Sequence, residues 1–251
     1  MDIAIVYEDD YLMVLNKPAG LVVESGLSVK EKTLTDYLQQ DFGITIARGG
    51  LVHRLDKDTS GTILVAKTEL ALESLQGQFK NREVKKEYIA LVHGTIDELG
   101  VVKGNIGRNP GNREKFTVLE EGKEAVTEYA PLKQWTMDNA QLTNIFEGFN
   151  KIQMRKLSTI HYNLFTLLKC LPKTGRTHQI RVHLKHINSP IVSDEKYVGR
   201  KMYRLDKKWC PRLFLHAEKL AFHHPKSGEW MEFKTQLPED LEKALLSLRG
   251  A

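Results

Sequence analysis

Nine residues, HRLDKDTSG from His53 to Gly61, hold two carboxylates, three side chains able to carry positive charge, two hydroxyls and a closing glycine. The apolar run TILVAK follows at once. Asp56 and Asp58, two residues apart, have the spacing of a general acid and base pair. The neighbouring His53, Arg54 and Lys57 favour ionised carboxylates, which makes a poor acid but a good anionic nucleophile or base at neutral pH. A salt-bridged turn leading into a strand accounts for the spacing equally well. The hydroxyls of Thr59 and Ser60 can tighten the turn through local hydrogen bonds, and Gly61 can take a positive φ. A stiff turn would hold a carboxylate within the small positional error that chemistry tolerates. Ser60 has no nucleophile elbow around it.

A second candidate stretch is LPKTGRTHQIRVHLKH, in which Lys173, Arg176, Arg181 and Lys185 alternate with His178, His183 and His186 and no acid intervenes. Arginines five apart suit phosphate or carboxylate through their planar forks, while a solvated basic face is the plain alternative. The histidines lack the spacing of a zinc site, and no metal is expected. Tyr88 is the third candidate, either a core ring or a surface on which a base could stack. Phosphate-loop and dinucleotide fingerprints are missing; GRNPGNRE has the wrong glycine spacing and no Lys-Ser/Thr ending.

The elements that must position these residues follow from periodicity. IAIVYEDDYLMVLNK predicts two short strands around an acidic turn, ended by KPAG. Thr33 to Gly43 predicts a helix capped by Thr33, with Leu34 and Leu38 on one face. Thr62 to Lys67 predicts a strand, followed by a helix capped by Thr68 and running to about Phe79. Lys86 to His93 alternates as a strand, with Tyr88, Ala90 and Val92 facing one way. GRNPGNREKF reads as a basic surface loop, AVTEYAPLKQW as a strand, and the long segment after Asn144 as ambiguous between strand and helix, its tail from Tyr162 to Leu168 a strand. TGRTHQIRVHLKH predicts a helix, PRLFLHAEKLAFHHP paired strands, WMEFKT another strand, and LPEDLEKALLSL a closing helix with Pro238 in its first turn. Strands outnumber helices, and the helices are too few for eight βα repeats. An α+β domain with a large, mainly antiparallel sheet is expected.

The chain has 251 residues, enough for one large domain or two small ones, and no repeat or linker divides it. Hydrophobic residues make up 41% and charged residues 27%, which fits a folded globule rather than a disordered chain. The net charge of +5 permits a polyanionic partner without requiring one. The only cysteines, Cys170 and Cys210, make no disulfide framework. The start is acidic and too short in its apolar stretch for a signal peptide, and no stretch approaches the ~18 apolar residues of a membrane span. A cytoplasmic enzyme or binding protein, with no membrane association, is expected.

Taken together, NKPAG at 16–20, HRLDKDTSGTILVAKT at 53–68, KKEYIALVHG at 85–94, KTGRTHQIRVHL at 173–184 and LHAEKLAFHHP at 215–225 resemble the RluA family of RNA pseudouridine synthases, in family order along nearly the whole chain. The resemblance implies a single catalytic domain, 1–251, with a pseudouridine synthase fold: a large, bent, mainly antiparallel sheet flanked by helices and loops. It implies isomerisation of uridine to pseudouridine in structured rRNA or tRNA, with no metal or organic cofactor. The catalytic aspartate matches Asp56, the active-site tyrosine Tyr88, and the arginine that pairs with the aspartate Arg181. Arg54 matches the residue that helps hold the flipped uridine out of the helix. His53, Lys173, Arg176 and Lys185 are candidate RNA contacts, as is the 108–115 loop. The carboxylate would either attack C1′ of the ribose or take a 2′ proton to open a glycal route. An RNA-base glycosylase and a non-catalytic RNA-binding module are the rival readings.

The pattern departs from the family in two places. The resemblance is to the shorter members of the family, so no separate small RNA-binding domain is expected before IVYEDD. The segment from Gln141 to Tyr162, which carries Lys151, Arg155 and Lys156, is longer than usual and reads as an extra RNA contact or an extended hairpin. A monomer is the simplest expectation.

Overall fold

The computed structural model describes residues 3–24, 31–159 and 161–248. The chain divides into two compact units, Met1–Tyr88 with His216–Gln236, and Ile89–Leu215 with Leu237–Ala251.

In the first unit, strands β1 (Ala4–Glu8) and β2 (Leu12–Lys17) form the expected hairpin. Its turn is held by Asp9, whose Oδ1 accepts from the backbone N–H of Tyr11 and Leu12 at 2.7 and 2.9 Å. Helix α1 (Leu34–Gln40) starts at Thr33 with a reciprocal capping box to Asp36 and buries Leu34 and Leu38. Strand β3 (Ser60–Ala66) begins two residues before the expected Thr62 and pairs antiparallel with β2. Helix α2 (Glu69–Lys80) is capped by Thr68, as read. All seven residues of β3 are buried, because both faces of the β2–β3 pair are covered. Ile63 and Val65 pack with Leu15, Leu34 and Leu38 on one side, and Leu64 and Ala66 with Leu72 and Leu75 on the other.

Strand β4 (Lys85–His93) begins in the first unit and ends in the second. The supposed 107–116 loop is instead a hairpin: β5 (Gly100–Asn109) and β6 (Asn112–Leu119) leave only Pro110 and Gly111 between them. Turn residues cluster there because the turn is tight, not because it is long. Strand β7 (Lys123–Thr136) pairs with β5 and with β8 (Leu164–Pro172).

The ambiguous stretch is helical rather than an extended hairpin: α3 (Asn139–Ile145) and α4 (Lys151–Thr159). Both carry a start signal legible in the sequence. Asp138 and Gln141 make a capping box for α3, and Asn150 and Gln153 exchange the same pair of bonds at α4. Ile160, within that stretch, lies outside the described residues. Helix α5 (Gln179–His186) follows the PKTG loop, and α6 (Arg200–Asp206), which the sequence reading did not anticipate, follows Gly199.

The chain then returns to the first unit through β9 (Leu215–His223) and β10 (Trp230–Lys234), which pair antiparallel. The expected strand pair within PRLFLHAEKLAFHHP is therefore one strand; no turn residue interrupts it, and WMEFK is the strand that pairs with it antiparallel. Helix α7 (Glu239–Ser247) closes the chain, with Pro238 as its N-cap rather than inside the first turn. In the first unit the strand order is β1-β2-β3-β9-β10, and in the second β4-β8-β7-β5-β6. The pairs β1–β2, β2–β3, β9–β10, β5–β6, β5–β7 and β7–β8 are antiparallel, whereas β3 and β9 run parallel, with Ser60 facing His216 and Gly61 facing Ala217. This is the mixed, mainly antiparallel α+β class, with helices packed on the strands.

Candidate active site

The HRLDKDTSG segment connects a short bridge, Leu51 to Val65, with the start of β3. Leu55 is its only buried member before Thr59 and anchors it in the core beside Ile63 and Tyr88. A turn then runs from Asp56 to Thr59, closed by the Thr59 N–H donating to the Asp56 carbonyl at 3.1 Å. Asp56 is half-buried at its head, while Lys57 and Asp58 are exposed.

The turn is clamped from below by the residues of NKPAG. The carbonyl of Lys57 accepts from the Gly20 N–H at 2.9 Å and from Lys17 Nζ at 3.0 Å. Lys17 is fully buried, and its ammonium also donates to the carbonyls of Pro18 and Leu21 at 2.8 and 2.9 Å. A buried ammonium is tolerated only when its donors are satisfied, so this arrangement fixes the turn and the hairpin end together. The sequence reading treated KPAG as a strand terminator and missed this bracing; the signal was a lysine among apolar residues at the end of a buried strand.

Behind the turn, Ser60 Oγ lies 3.0 Å from His216 Nδ1, whose Nε2 faces the carbonyl and hydroxyl of Thr235 at 3.4 and 3.2 Å. Ser60 and His216 are both buried, which ties the entry of β3 to β9. Gly61, at φ +118°, lies so close to β9 that a Cβ would fall 2.2 Å from the carbonyl oxygen of Ala217. Only glycine permits that approach.

His53 is half-buried and committed to the fold. Its Nε2 accepts the Leu64 N–H at 3.0 Å, and its ring stacks on Phe79 at 4.8 Å. Burial, with the Lys86 charge added, lowers its pKa to about 3, so the ring is neutral. Arg54, next to it, is exposed, and its charge helps to lower the Glu24 carboxyl, which Arg48 grips at 2.8 and 2.9 Å.

Tyr88 stands on β4, two residues after Lys86 and so on the same face. Burial raises the Tyr88 phenol well above its usual value, and the Asp56 charge raises it further. Asp56 and Tyr88 thus lie within electrostatic reach of one another inside the first unit. Lys86 is lowered by burial to about 8, a shift that no sequence pattern announced.

Arg181 belongs to the second unit, on α5, and is buried. Its Nε and Nη2 donate to the two oxygens of Asp194 at 2.7 and 2.8 Å, a fork-to-fork pair, and its guanidinium carbon lies 5.2 Å from the Tyr197 ring centroid. Asp194 is fully buried and also accepts from the N–H groups of Lys196 and Tyr197. Sequence reasoning did not single out Asp194.

The approach to α5 is organised by Gln179, whose Oε1 accepts from Thr174 Oγ1 and the Arg176 N–H, while its Nε2 donates to the Val126 carbonyl and to Thr127 Oγ1. The three histidines part company. His178 Nδ1 lies 2.9 Å from the Tyr197 hydroxyl, His183 Nδ1 lies 2.9 Å from Thr127 Oγ1, and His186 is exposed. Burial lowers the pKa of His183 to about 4. Lys173 pairs with Glu128 at 2.8 Å, Arg176 donates to the Glu124 carbonyl at 3.0 Å, and Lys185 is exposed.

The family described as RNA pseudouridylate synthase matches residues 11–186. The chain is 38% identical over 255 residues to the uncharacterized RNA pseudouridine synthase YlyB of Bacillus subtilis, covering 99% of this chain and 74% of that protein. It is 37% identical over 257 residues to ribosomal large subunit pseudouridine synthase D of Xanthomonas campestris, covering 98% and 69%. Among solved structures, human RNA pseudouridylate synthase domain containing 1 and 4 superpose with TM-scores of 0.68 and 0.69 at 25% identity, covering 100% and 98% of this chain and 96% and 93% of those chains.

Proposed function

Because the chain belongs to the RNA pseudouridylate synthase family and carries an RluA-type catalytic domain, an isomerase of structured RNA, we infer that Asp56 supplies the anion of its reaction. The observation that carries this is the braced turn, which presents a carboxylate within electrostatic reach of Tyr88 while Lys17 and Gly20 immobilise its backbone. Both compact units would serve one catalytic domain, since the family match runs from the first into the second.

The reaction exchanges one bond to C1′ for another. The N1–C1′ bond breaks, the uracil turns, C5 bonds to C1′, the C5 proton is lost and N1 gains one. Asp56 takes part either as the nucleophile at C1′, expelled when C5 attacks, or as the base at the 2′ position. Tyr88 provides the ring against which the severed uracil stays stacked. Its phenol is held protonated by burial and by the Asp56 charge, so it acts as a neutral hydroxyl rather than as a phenolate. Arg181, aimed by Asp194, is the cation that the resemblance assigns to Asp56. Arg54 fills the space left by the flipped base, a step that costs a few kcal/mol, and Lys173, Arg176 and Lys185 meet phosphates.

Large-subunit ribosomal RNA is the favoured substrate, on the support of the ribosomal synthases that the chain resembles. Mapping pseudouridine in RNA from cells with and without the gene tests this; a difference confined to tRNA sinks it. Asp56→Asn should abolish turnover and keep the fold and RNA affinity, and the wild-type product should have unchanged RNA mass. Base release, which lowers the mass, would make the protein a glycosylase. Turnover that survives Asp56→Asn would remove the carboxylate from the chemistry.

A further inference from the structure

We propose that α4 and the C-terminal half of α6 form a second RNA-binding face, one that grips phosphates outside the turn that carries Asp56. The inference rests on the RNA reading above and names where, on this chain's long segment, the substrate is held.

Helix α4 is KIQMRKLST, with three cations and no acid. Leu157 is buried and Met154 half-buried, so the helix packs on that side and turns Lys151, Arg155 and Lys156 outward. Helix α6 is RKMYRLD, and after it come Lys207 and Lys208; Arg204, Lys207 and Lys208 are all exposed. Its one acid, Asp206, is fully buried and accepts from His93 Nε2, the Tyr162 hydroxyl and the Ser193 N–H at 3.0, 2.7 and 2.8 Å. It faces inward and offers the surface no negative charge.

The structure brings the two basic stretches together from opposite ends of α4. Phe149, just before α4, lies 5.4 Å beneath Lys208 Nζ. Tyr162, just after it, is wedged between Phe146 and the end of α6, where its hydroxyl also receives the Trp209 indole N–H at 3.0 Å. Both ends of α4 are therefore pinned to the tip of α6. The resulting face has fixed geometry rather than the latitude of a free loop.

Ordinary solvated helices intersperse acids among their bases, as α7 does with Glu239 and Lys243 at 2.6 Å. Among the described residues, none of the six cations has a carboxylate within ion-pair distance, and Glu147 is the single exposed acid between α3 and α4. A one-sign face on rigid elements suits a polyanion, and repeated phosphates at modest spacing are what flexible Lys and Arg side chains neutralise by releasing counterions.

The test uses the full chain and its triple variant K151Q/R155Q/K156Q, with two fluorescein-labelled RNA hairpins that share one uridine-rich loop, on stems of about 30 and about 6 base pairs. Dissociation constants are read by anisotropy across a salt series. The variant should bind the long hairpin about tenfold more weakly near physiological salt, with a slope of log K against log[salt] shallower by about 2. It should bind the short hairpin as the wild type does, and its thermal midpoint should be unchanged. A slope unaltered on the long hairpin overturns the proposal, as does an equal loss on the short one, which would put the cations at the loop itself. Loss of binding to vesicles containing phosphatidylserine with RNA binding intact would assign the face to a membrane and also overturn it. Should the wild type form no pseudouridine in any RNA while the salt slope still shifts, the isomerase reading fails and this one stands.

Discussion

Lys17 Nζ lies 3.0 Å from the carbonyl oxygen of Lys57, so a fully buried ammonium at the end of β2 holds the peptide between Lys57 and Asp58, one residue beyond Asp56. The two residues are forty apart in sequence. Removing that ammonium leaves the carbonyls of Pro18, Leu21 and Lys57 without this donor in a dry place. Lys17→Met should therefore cost on the order of 2–3 kcal/mol of stability, read as a lower urea midpoint. At a temperature where the variant remains folded, its turnover should fall further than its RNA affinity, because the turn loses its brace. Unchanged turnover in folded protein would show that the turn holds its shape unaided.

Asp194 should matter to the rate although it is not assigned to touch substrate. It fixes both forks of Arg181. Asp194→Asn leaves one good acceptor and removes the charge, so Arg181 loses its aim. Breaking a buried pair of this kind costs about 3–5 kcal/mol when one partner is left behind. The expected kinetic signature is a lower kcat with nearly constant KM. Combined with Arg181→Gln the losses should be far less than additive. Strict additivity would mean that the two side chains act independently.

Stability should decline on the acid side for a reason that has nothing to do with carboxylates. His53 is lowered to about 3 and His183 to about 4, both chiefly by burial. Unfolded histidines titrate near about 6.5. As pH falls below that value the unfolded chain takes up protons that the folded chain refuses, so stability present above about pH 6.5 is lost toward pH 4. The limiting slope is about 1.4 kcal/mol per pH unit for each histidine. His53→Gln retains an acceptor for the Leu64 N–H and should remove about half of the slope. Urea titrations at several pH values measure it, and an unaltered slope would clear His53.

Arg54 is exposed two residues from Asp56, and the proposed reading has it occupy the vacated base position. Arg54→Ala should weaken binding to duplex RNA that carries a normally paired uridine, and should leave affinity for RNA with an already unstacked analogue nearly intact. Equal effects on both would reduce Arg54 to a phosphate contact.

The amino-acid order by itself determined the hairpin of β1 and β2, the capped helices α1 and α2, the strand that carries Tyr88 and the strand that follows the Asp56 turn, because each is specified by neighbours within a turn or two: alternation and a Thr cap. It also pointed to Asp56, Tyr88 and Arg181 through motifs whose order is linear. Helices α3 and α4 were legible in principle, since Asp138–Gln141 and Asn150–Gln153 are capping boxes, but their mixed hydrophobic pattern concealed the period. What only the tertiary structure decided are the pairings between distant residues. Lys17 with Lys57, Ser60 with His216, Arg181 with Asp194, and Phe149 with Lys208 are contacts that no local rule encodes. Burial likewise sets which ionisable groups change character. The same histidine letter is a neutral strand clamp at position 53 and an exposed ring at position 186, because solvation belongs to the packed chain and not to the residue type.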